Sequence, residues 1–249
     1  MKDYSVLYII LLICISSCAT KQTTIYMIGD STMANKKNPE VNPEHGWGQV
    51  LPQFFKSNAV IDNRAVNGRS SRSFLLENRW DSIMKTLRKG DYVFIQFGHN
   101  DQKVQSPERY TNAHSAYRGN LIRYVLEARS KGATPVLFTS IVRRNFNEFG
   151  VLVDTHGEYT LETRLVANEY KVPFIDLQYL TEQLEESYGM EGSKKLHLHF
   201  EPDEIEYYKN GKHDDTHLSV TGANEVAKLA ISELEEKVTS LKKFIKEND

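Results

Sequence analysis

The chain has few cysteines, the residues that stabilise small folds covalently, and little excess of charge of either sign. Its 249 residues include two cysteines, Cys14 and Cys18, which excludes a framework of several disulfides and leaves a hydrophobic core to hold the fold. Basic and acidic residues nearly cancel, 31 against 33, and the formal net charge of −2 provides no basic footprint for nucleic acid. The sequence also lacks internal repeats and low-complexity tracts. With 40% hydrophobic residues, it indicates one ordinary globular domain.

The beginning of the chain lacks a hydrophobic run long enough to span a bilayer. The apolar stretch at residues 6–15 is instead typical of an export signal. It ends in ISSC at residues 15–18, which resembles a bacterial lipobox. We therefore expect residues 1–17 to be a lipoprotein signal peptide and Cys18 to carry the lipid, with a plain signal peptide and an incidental cysteine as the alternative. Cleavage before Cys18 removes Cys14, so the mature protein has no disulfide and is membrane-anchored in the periplasm or at the cell surface.

Strand-like and helical patterns alternate along the rest of the chain. Short apolar runs predict strands at residues 24–28, 60–66, 92–97, 135–140 and 172–176. Helical spacing predicts helices at residues 46–55, 71–87, 115–130 and 157–170, and a final helix from about residue 221. Residues 190–211 are predicted to be an irregular loop. The alternation indicates a three-layer α/β/α fold with a five-stranded doubly wound parallel sheet, in a single domain over residues 18–249 whose core is about 23–247.

Trp47 has two interpretations. It stands at helical spacing with Val50, Leu51 and Phe54, which predicts a core residue packed on the sheet. An aromatic platform on which a sugar stacks is the alternative. We favour the core.

A serine follows the first predicted strand at its carboxyl end. The chain reads TIYMIGDST over residues 24–32, so Gly29 permits a sharp exit and Ser31 comes directly afterwards. Open α/β sheets bind their ligands at that edge. A serine hydroxyl acts as a nucleophile only with a base in reach and with donors for the oxyanion that forms. Ser31 is our candidate nucleophile, and the rest of the site has to supply those groups.

Two further strands end in groups that can donate hydrogen bonds. The second predicted strand runs into NGR at residues 67–69, where the glycine lets its backbone N–H approach a ligand closely. The third runs into GHN at residues 98–100, where the asparagine can donate its side-chain amide. Because parallel strands end at the same edge of a sheet, we expect Gly68 and Asn100 to lie beside Ser31 as oxyanion donors.

A candidate base lies just before the final predicted helix. Asp214 and His217 are three residues apart, a spacing that lets the carboxylate accept the imidazole Nδ1–H and leaves Nε2 to face the nucleophile. Asp215 is two residues from the histidine, and that spacing also works. The residues alone therefore leave two candidate carboxylates to orient His217.

Basic and polar residues at the same edge are candidates for substrate binding. Arg143 and Arg144 follow the fourth predicted strand, and Arg69 and His99 belong to the two turns described above. Arginines there can bind acidic groups through charge-assisted hydrogen bonds, although paired arginines are usually just solvated. His99 is predicted to bind substrate or to pack.

Four motifs together resemble the conserved blocks of the GDSL or SGNH hydrolase family. They are GDST at 29–32, NGRSSRSF at 67–74, GHND at 98–101 and DDTHLS at 214–219. The histidine of GHND, HGWGQ at 45–49 and VRR at 142–144 are similar to the rhamnogalacturonan acetylesterase branch, whose members remove acetyl groups from pectin. Thr32 stands where the family name has leucine, as it does in acetylesterases of this branch.

The resemblance implies a role for each candidate residue. Ser31 corresponds to the nucleophile, His217 to the base and Asp214, rather than Asp215, to the residue that orients the base. The Ser31 N–H, the Gly68 N–H and Asn100 correspond to the oxyanion hole. The resemblance also implies a flavodoxin-like fold, an acetyl-serine intermediate, an acetylated polysaccharide substrate, and neither a metal nor an organic cofactor. The polar and basic loops favour a carboxylated polysaccharide over a long acyl chain, and we expect a monomer.

Two other classes of function are open on the residues alone. Metal chemistry is one, since five potential zinc or manganese ligands cluster in the sequence at His197, His199, His213, Asp214 and His217. It leaves Ser31, Gly68 and Asn100 unexplained. A lipoprotein that binds glycans without cleaving them is the other. Within the esterases, other acylated sugars, lipid esters and thioesters are alternative substrates.

Overall fold

A five-stranded parallel sheet forms the centre of the structure, a computed structural model that describes residues 22–247. The strands are β1 (Thr23–Gly29), β2 (Ala59–Asn63), β3 (Tyr92–Gln96), β4 (Thr134–Phe138) and β5 (Phe174–Ile175). Their order is β2-β1-β3-β4-β5, so the winding direction reverses between β1 and β3. The predicted signal peptide, with Cys14 and Cys18, lies outside the described residues. No helix within residues 22–247 is both long and apolar enough to cross a bilayer.

Helices cover both faces of the sheet. They are α1 (Trp47–Val50), α2 (Ser71–Leu76), α3 (Arg79–Thr86), α4 (Arg118–Ser130), α5 (Glu158–Tyr170), α6 (Leu177–Gly192) and α7 (Val220–Lys237). One core contains buried side chains of α1, α6 and α7, and the other those of α2 to α5. The three-layer α/β/α prediction is confirmed.

The strands supply both cores because neighbouring side chains point to opposite faces. In β1, Ile25 and Met27 belong to the core under α1 and α7, whereas Tyr26 and Ile28 belong to the other. All four are buried, which explains why the strand reads as a continuous apolar run rather than an alternating one.

Trp47 is a core residue. Its side chain is fully buried, and its ring centroid lies 5.4 Å from that of Phe138. The indole Nε1–H donates to Gln96 Oε1 at 2.9 Å, so its one polar atom is satisfied inside the protein. A sugar-stacking platform at this position is wrong.

Several predicted elements are shorter or divided, each for a local reason. The predicted helix at 46–55 becomes α1 and a 3-10 turn, Leu51–Phe54, because Pro52 has no N–H to continue the α-helical ladder. The helix predicted at 71–87 is two helices, separated at Asn78, which adopts a left-handed φ of 55°. Strand β5 is short because Pro173 cannot donate to the sheet. Strand β2 ends at Asn63 rather than at 66.

An antiparallel hairpin was missed by the sequence patterns. Residues 190–211, predicted to be irregular, contain the end of α6 and the strand β6 (His197–Phe200). This strand pairs with β7 (Lys212–Leu218), which holds Asp214 and His217, so those two residues lie on a strand and not on a loop. Histidines and charged residues fill both strands, and the usual apolar alternation is therefore absent.

The first turn of α7 packs against the residue that precedes β6, without room for a side chain. A Cβ at Gly222 would lie 2.0 Å from the carbonyl oxygen of Leu196. We expect Gly222→Ala to lower the free energy of unfolding by ~1–3 kcal/mol through overpacking, as measured by urea denaturation. Gly119→Ala in α4 is the control, because a Cβ there meets nothing within 4 Å. Equal stability of the two variants would contradict the close packing.

Candidate active site

Three side chains from opposite ends of the chain form a hydrogen-bonded relay at the carboxyl edge of the sheet. His217 Nε2 lies 2.9 Å from Ser31 Oγ, and His217 Nδ1 lies 2.9 Å from Asp214 Oδ2. With the proton on Nδ1, the imidazole donates to the carboxylate, and Nε2 accepts the serine hydroxyl proton. This is the arrangement in which a serine can be deprotonated as it attacks.

Asp214 is held as a carboxylate. Its Oδ1 accepts the backbone N–H groups of Thr216 at 2.9 Å and of His217 at 3.0 Å, while Oδ2 faces the imidazole. Partial burial acts to raise the pKa of Asp214, but the hydrogen bonds from His217 and Thr216 outweigh it and hold that pKa well below its usual range. A permanently ionised Asp214 keeps one tautomer of His217 in place.

An irregularity in the β6–β7 pairing gives the relay its shape. Leu198 pairs with Asp214, but the preceding residue, His197, pairs with Leu218. Residues 215–217 of β7 therefore have no partners in β6 and form a bulge. Bulges redirect side chains next to active sites, and this one carries His217.

Asp215 points into a different network, beside the relay. Its Oδ1 lies 2.8 Å from both the Arg144 guanidinium and His199 Nε2. Arg144 also donates to Ser193 Oγ at 3.1 Å and to the Met190 carbonyl. The geometry thus separates Asp214 from Asp215, which spacing alone did not. The Arg144 guanidinium, predicted to bind substrate, is bound by groups of the protein.

The donors predicted for an oxyanion hole come from the ends of three adjacent strands, β1, β2 and β3. No acceptor among residues 22–247 takes the backbone N–H of Ser31 or of Gly68. Gly68 has a φ of 76°, which glycine adopts without strain. The amide of Asn100 is buried and donates to the carbonyl of Arg69 at 3.1 Å, which fixes it beside the Gly68 turn. These groups have the chemistry of an oxyanion hole.

Asp30 shapes the turn that presents Ser31. It is fully buried, and its Oδ1 accepts the N–H and the hydroxyl of Thr32, each at 2.9 Å. Its Oδ2 lies 3.5 Å from His99 Nδ1. Burial acts to raise the pKa of Asp30, but the neighbouring His99 and the hydrogen bonds from Thr32 outweigh it and lower that pKa. The hydrogen bond from the Thr32 hydroxyl to Asp30 explains why a threonine follows Ser31.

His99 is buried next to the site. Its side chain packs edge-on against His156, with ring centroids 4.3 Å apart. Burial lowers the pKa of His99, with Asp30 acting in the opposite direction, so the neutral ring is favoured. His99 was predicted either to bind substrate or to pack, and its buried contact with His156 is a packing contact.

Arg143 and Arg69 differ in how far they face solvent. Arg143 donates to Thr155 Oγ1 at 2.8 Å, and burial lowers its pKa. Arg69 pairs with Glu77 at 3.1 Å, and its side chain remains 33% exposed. Arg69 is therefore more accessible than Arg143.

The histidines of the suggested metal cluster are engaged separately. His197 Nε2 lies 2.6 Å from Glu185, whereas His199 and His217 face two different aspartates. Within residues 22–247, no three His, Cys, Asp or Glu side chains are grouped so as to hold a metal ion. The side-chain positions therefore do not support metal chemistry.

Lys36 is a site residue that the sequence patterns did not reveal. Its side chain is 2% exposed, and its ammonium pairs with Glu44 Oε1 at 2.7 Å. The same ammonium donates to the carbonyl of Ser31 at 2.6 Å and to Asn67 Oδ1 at 3.0 Å. It thus joins the two backbone segments that carry the Ser31 and Gly68 N–H groups. A lysine in a polar loop is ordinarily solvated, and nothing in the sequence marks this one.

The model of the GDSL-like lipase/acylhydrolase family matches residues 27–224. The matched region holds all five residues of the predicted catalytic site: Ser31, Gly68, Asn100, Asp214 and His217. The chain belongs to this family, and it is a carboxylic ester hydrolase.

Individual relatives of this chain have names that are more specific than the family description. The chain is 42% identical over 216 residues to the rhamnogalacturonan acetylesterase RhgT of Bacillus subtilis, covering 87% of this chain and 91% of the relative. It is 34% identical over 212 residues to the probable rhamnogalacturonan acetylesterase YesY of the same organism, covering 85% and 92%. The crystal structure of YxiM from Bacillus subtilis is similar, with a TM-score of 0.74 and 27% identity. That match covers 87% of this chain and 57% of the longer YxiM chain.

Replacement of Lys36 tests whether it positions the two N–H donors. We expect Lys36→Met to lower kcat for 4-nitrophenyl acetate by up to ~10²-fold, the scale of losing one oxyanion donor, with a small change in KM. The variant also leaves Glu44 without its partner. Lys36→Met combined with Glu44→Gln should therefore regain stability in urea denaturation without regaining kcat.

Lys131→Met, an exposed lysine at the end of α4, is the matched control. A folded Lys36→Met protein with the wild-type kcat would contradict the positioning role.

Proposed function

We propose that this protein is a serine acetylesterase that removes acetyl groups from rhamnogalacturonan. The observation that carries the proposal is the relay from Asp214 through His217 to Ser31, with 2.9 Å at each step. The 42% identity to RhgT, over nearly the full length of both chains, supports the choice of polysaccharide.

The first half of the reaction acetylates the enzyme. Ser31 Oγ attacks the acetyl carbonyl carbon while its proton passes to His217 Nε2. The carbonyl oxygen becomes an oxyanion, which accepts hydrogen bonds from the Ser31 and Gly68 N–H groups and from Asn100. When the carbonyl re-forms, the sugar oxygen leaves and takes the proton from His217, which yields acetyl-Ser31 and the free sugar hydroxyl.

The second half releases acetate. Water gives a proton to His217 Nε2 and attacks acetyl-Ser31, and the same donors hold the second oxyanion. Collapse of this oxyanion expels Ser31 Oγ, which recovers the proton from His217. Asp214 stays ionised throughout and balances the imidazolium of each step. The cycle consumes one water and produces one acetate.

Acetate release from three substrates tests the choice of substrate. We expect faster release of acetate from acetylated rhamnogalacturonan than from acetylated xylan, and slow hydrolysis of a long-chain acyl ester.

Asn100→Ala should lower turnover of the preferred substrate by ~10²- to 10³-fold while it remains folded.

The outcomes test the serine mechanism and the choice of substrate separately. Preference for the long-chain ester would overturn the pectin assignment while leaving the serine mechanism intact. Near-normal activity of Asn100→Ala would overturn its assignment to the oxyanion hole.

We also propose that the protein is exported and anchored through a lipid on Cys18. The support is the ISSC sequence at residues 15–18 and the short apolar stretch before it. In a bacterial host, the wild-type protein should fractionate with membranes and Cys18→Ser should not. Membrane association that persists in Cys18→Ser would refute the anchor.

A further inference from the structure

A second, buried histidine binds the backbone of His217. His197 Nδ1 lies 3.2 Å from the carbonyl oxygen of His217, and its other ring nitrogen, Nε2, lies 2.6 Å from Glu185 Oε1. The side chains of His197 and Glu185 are 1% and 4% exposed. Two titratable side chains that the proposed mechanism does not use are therefore buried together, and one of them contacts the residue that serves as the base.

Glu185 occupies a position in α6 where an apolar side chain is expected. It follows Leu177 and Thr181 at intervals of four residues, and all three are buried on the same face of the helix. A carboxylate is seldom fully buried unless it is paired. Among residues 22–247, His197 is the only hydrogen-bond partner of the Glu185 side chain, and Glu185 Oε2 has none. The contact with His197 is therefore the one that accounts for a carboxyl group at this position.

The hydrogen bonds of His197 fix where its protons lie. A carbonyl oxygen only accepts, so Nδ1 carries a proton that it donates to His217. The contact between Nε2 and Glu185 then requires a second proton, carried either by Nε2 or by the carboxyl group. Both arrangements leave the pair neutral overall. As long as this proton is shared, Glu185 keeps His197 in the form that donates to the backbone of His217.

The backbone of His217 lies in the part of β7 that has no partners in β6, residues 215–217. Two side chains bind the peptide groups on either side of it. Asp214 Oδ1 accepts the His217 N–H at 3.0 Å, and His197 donates to the His217 carbonyl. The imidazole has to stay within hydrogen-bonding distance of both Asp214 and Ser31. A shift of the His217 backbone would therefore lengthen one or both of the 2.9 Å contacts of the relay.

We propose that Glu185 and His197 are positioning residues of the esterase, which hold the backbone of His217 so that its Nε2 stays within reach of Ser31. The proposal rests on the proposed function, because it takes His217 as the base. It gives a role to a histidine that the sequence grouped only with candidate metal ligands.

Two replacements of Glu185 with similar volume test its hydrogen bond. In Glu185→Gln, the side-chain amide can donate to His197 Nε2 and leave Nδ1–H on the His217 carbonyl, so kcat for 4-nitrophenyl acetate should stay close to the wild-type value. Glu185→Met offers no such hydrogen bond. It should lower kcat by up to ~10²-fold, the scale of a displaced catalytic group, with little change in KM.

His197→Phe combined with Glu185→Met separates positioning from stability. Apolar side chains replace the whole pair, so no buried charge is left without a partner, and the midpoint of urea denaturation should stay near the wild-type value. The kcat should still fall as in Glu185→Met, because the His217 carbonyl has lost its donor.

The matched control is a second His–Glu pair, on the opposite face of the sheet. His114 Nδ1 lies 2.7 Å from Glu162 Oε1, and α5, which carries Glu162, packs in the other core from α6. His114→Phe combined with Glu162→Met should leave kcat and KM unchanged.

The outcomes distinguish the positioning role from the proposed function. A wild-type kcat in the folded double variant of His197 and Glu185, or equal kcat in Glu185→Gln and Glu185→Met, would overturn the positioning role. So would a loss of kcat that only follows the loss of folded protein. If Ser31→Ala abolishes hydrolysis in either of these cases, the serine mechanism stands without the positioning role. If folded Ser31→Ala hydrolyses the ester at the wild-type rate, the serine mechanism fails, and the positioning role fails with it.

Discussion

The hydrogen bond between Ser31 Oγ and His217 Nε2 joins the first strand of the sheet to the last strand of the chain. The segment at residues 45–47 forms hydrogen bonds both to the turn that carries Ser31 and to the strand that carries His217. Trp47 N–H donates to the Thr32 carbonyl at 2.9 Å, and His45 N–H donates to the Leu218 carbonyl at 3.0 Å. The serine turn and the histidine strand are therefore held by one short stretch of backbone, and Trp47 anchors that stretch in the core.

Buried charges give the site its rigidity. Asp30 holds the serine turn from one side, while Lys36 binds the Ser31 carbonyl and the turn before Gly68. Lys36 has an opposite charge within the site, Glu44, and the Asp30 carboxylate accepts two hydrogen bonds from Thr32. A buried ion without partners is costly, so these contacts hold the backbone of the site in place. Donors fixed before the substrate arrives are the main source of oxyanion stabilisation.

The parts predicted from the sequence are those encoded by local patterns. Apolar runs between glycine-rich turns revealed the five parallel strands, and the ends of three of them carry Ser31, Gly68 and Asn100. The β6–β7 hairpin was not predicted because polar side chains fill both of its strands. The burial of Lys36 was not predicted because it depends on partners that are distant along the chain, which no local pattern records. Likewise, the spacing of the residues left both Asp214 and Asp215 open, and the hydrogen bonds of the folded chain distinguish them as the family resemblance implied.

The covalent state of Ser31 during turnover tests the account most directly. The protein is mixed with 4-nitrophenyl acetate, quenched in acid, digested and analysed by mass spectrometry. We predict an acetyl group on the peptide that contains Ser31, and neither that adduct nor catalysed hydrolysis in Ser31→Ala. Hydrolysis at the wild-type rate by folded Ser31→Ala, or an acetyl group on a different residue during turnover, would contradict the account.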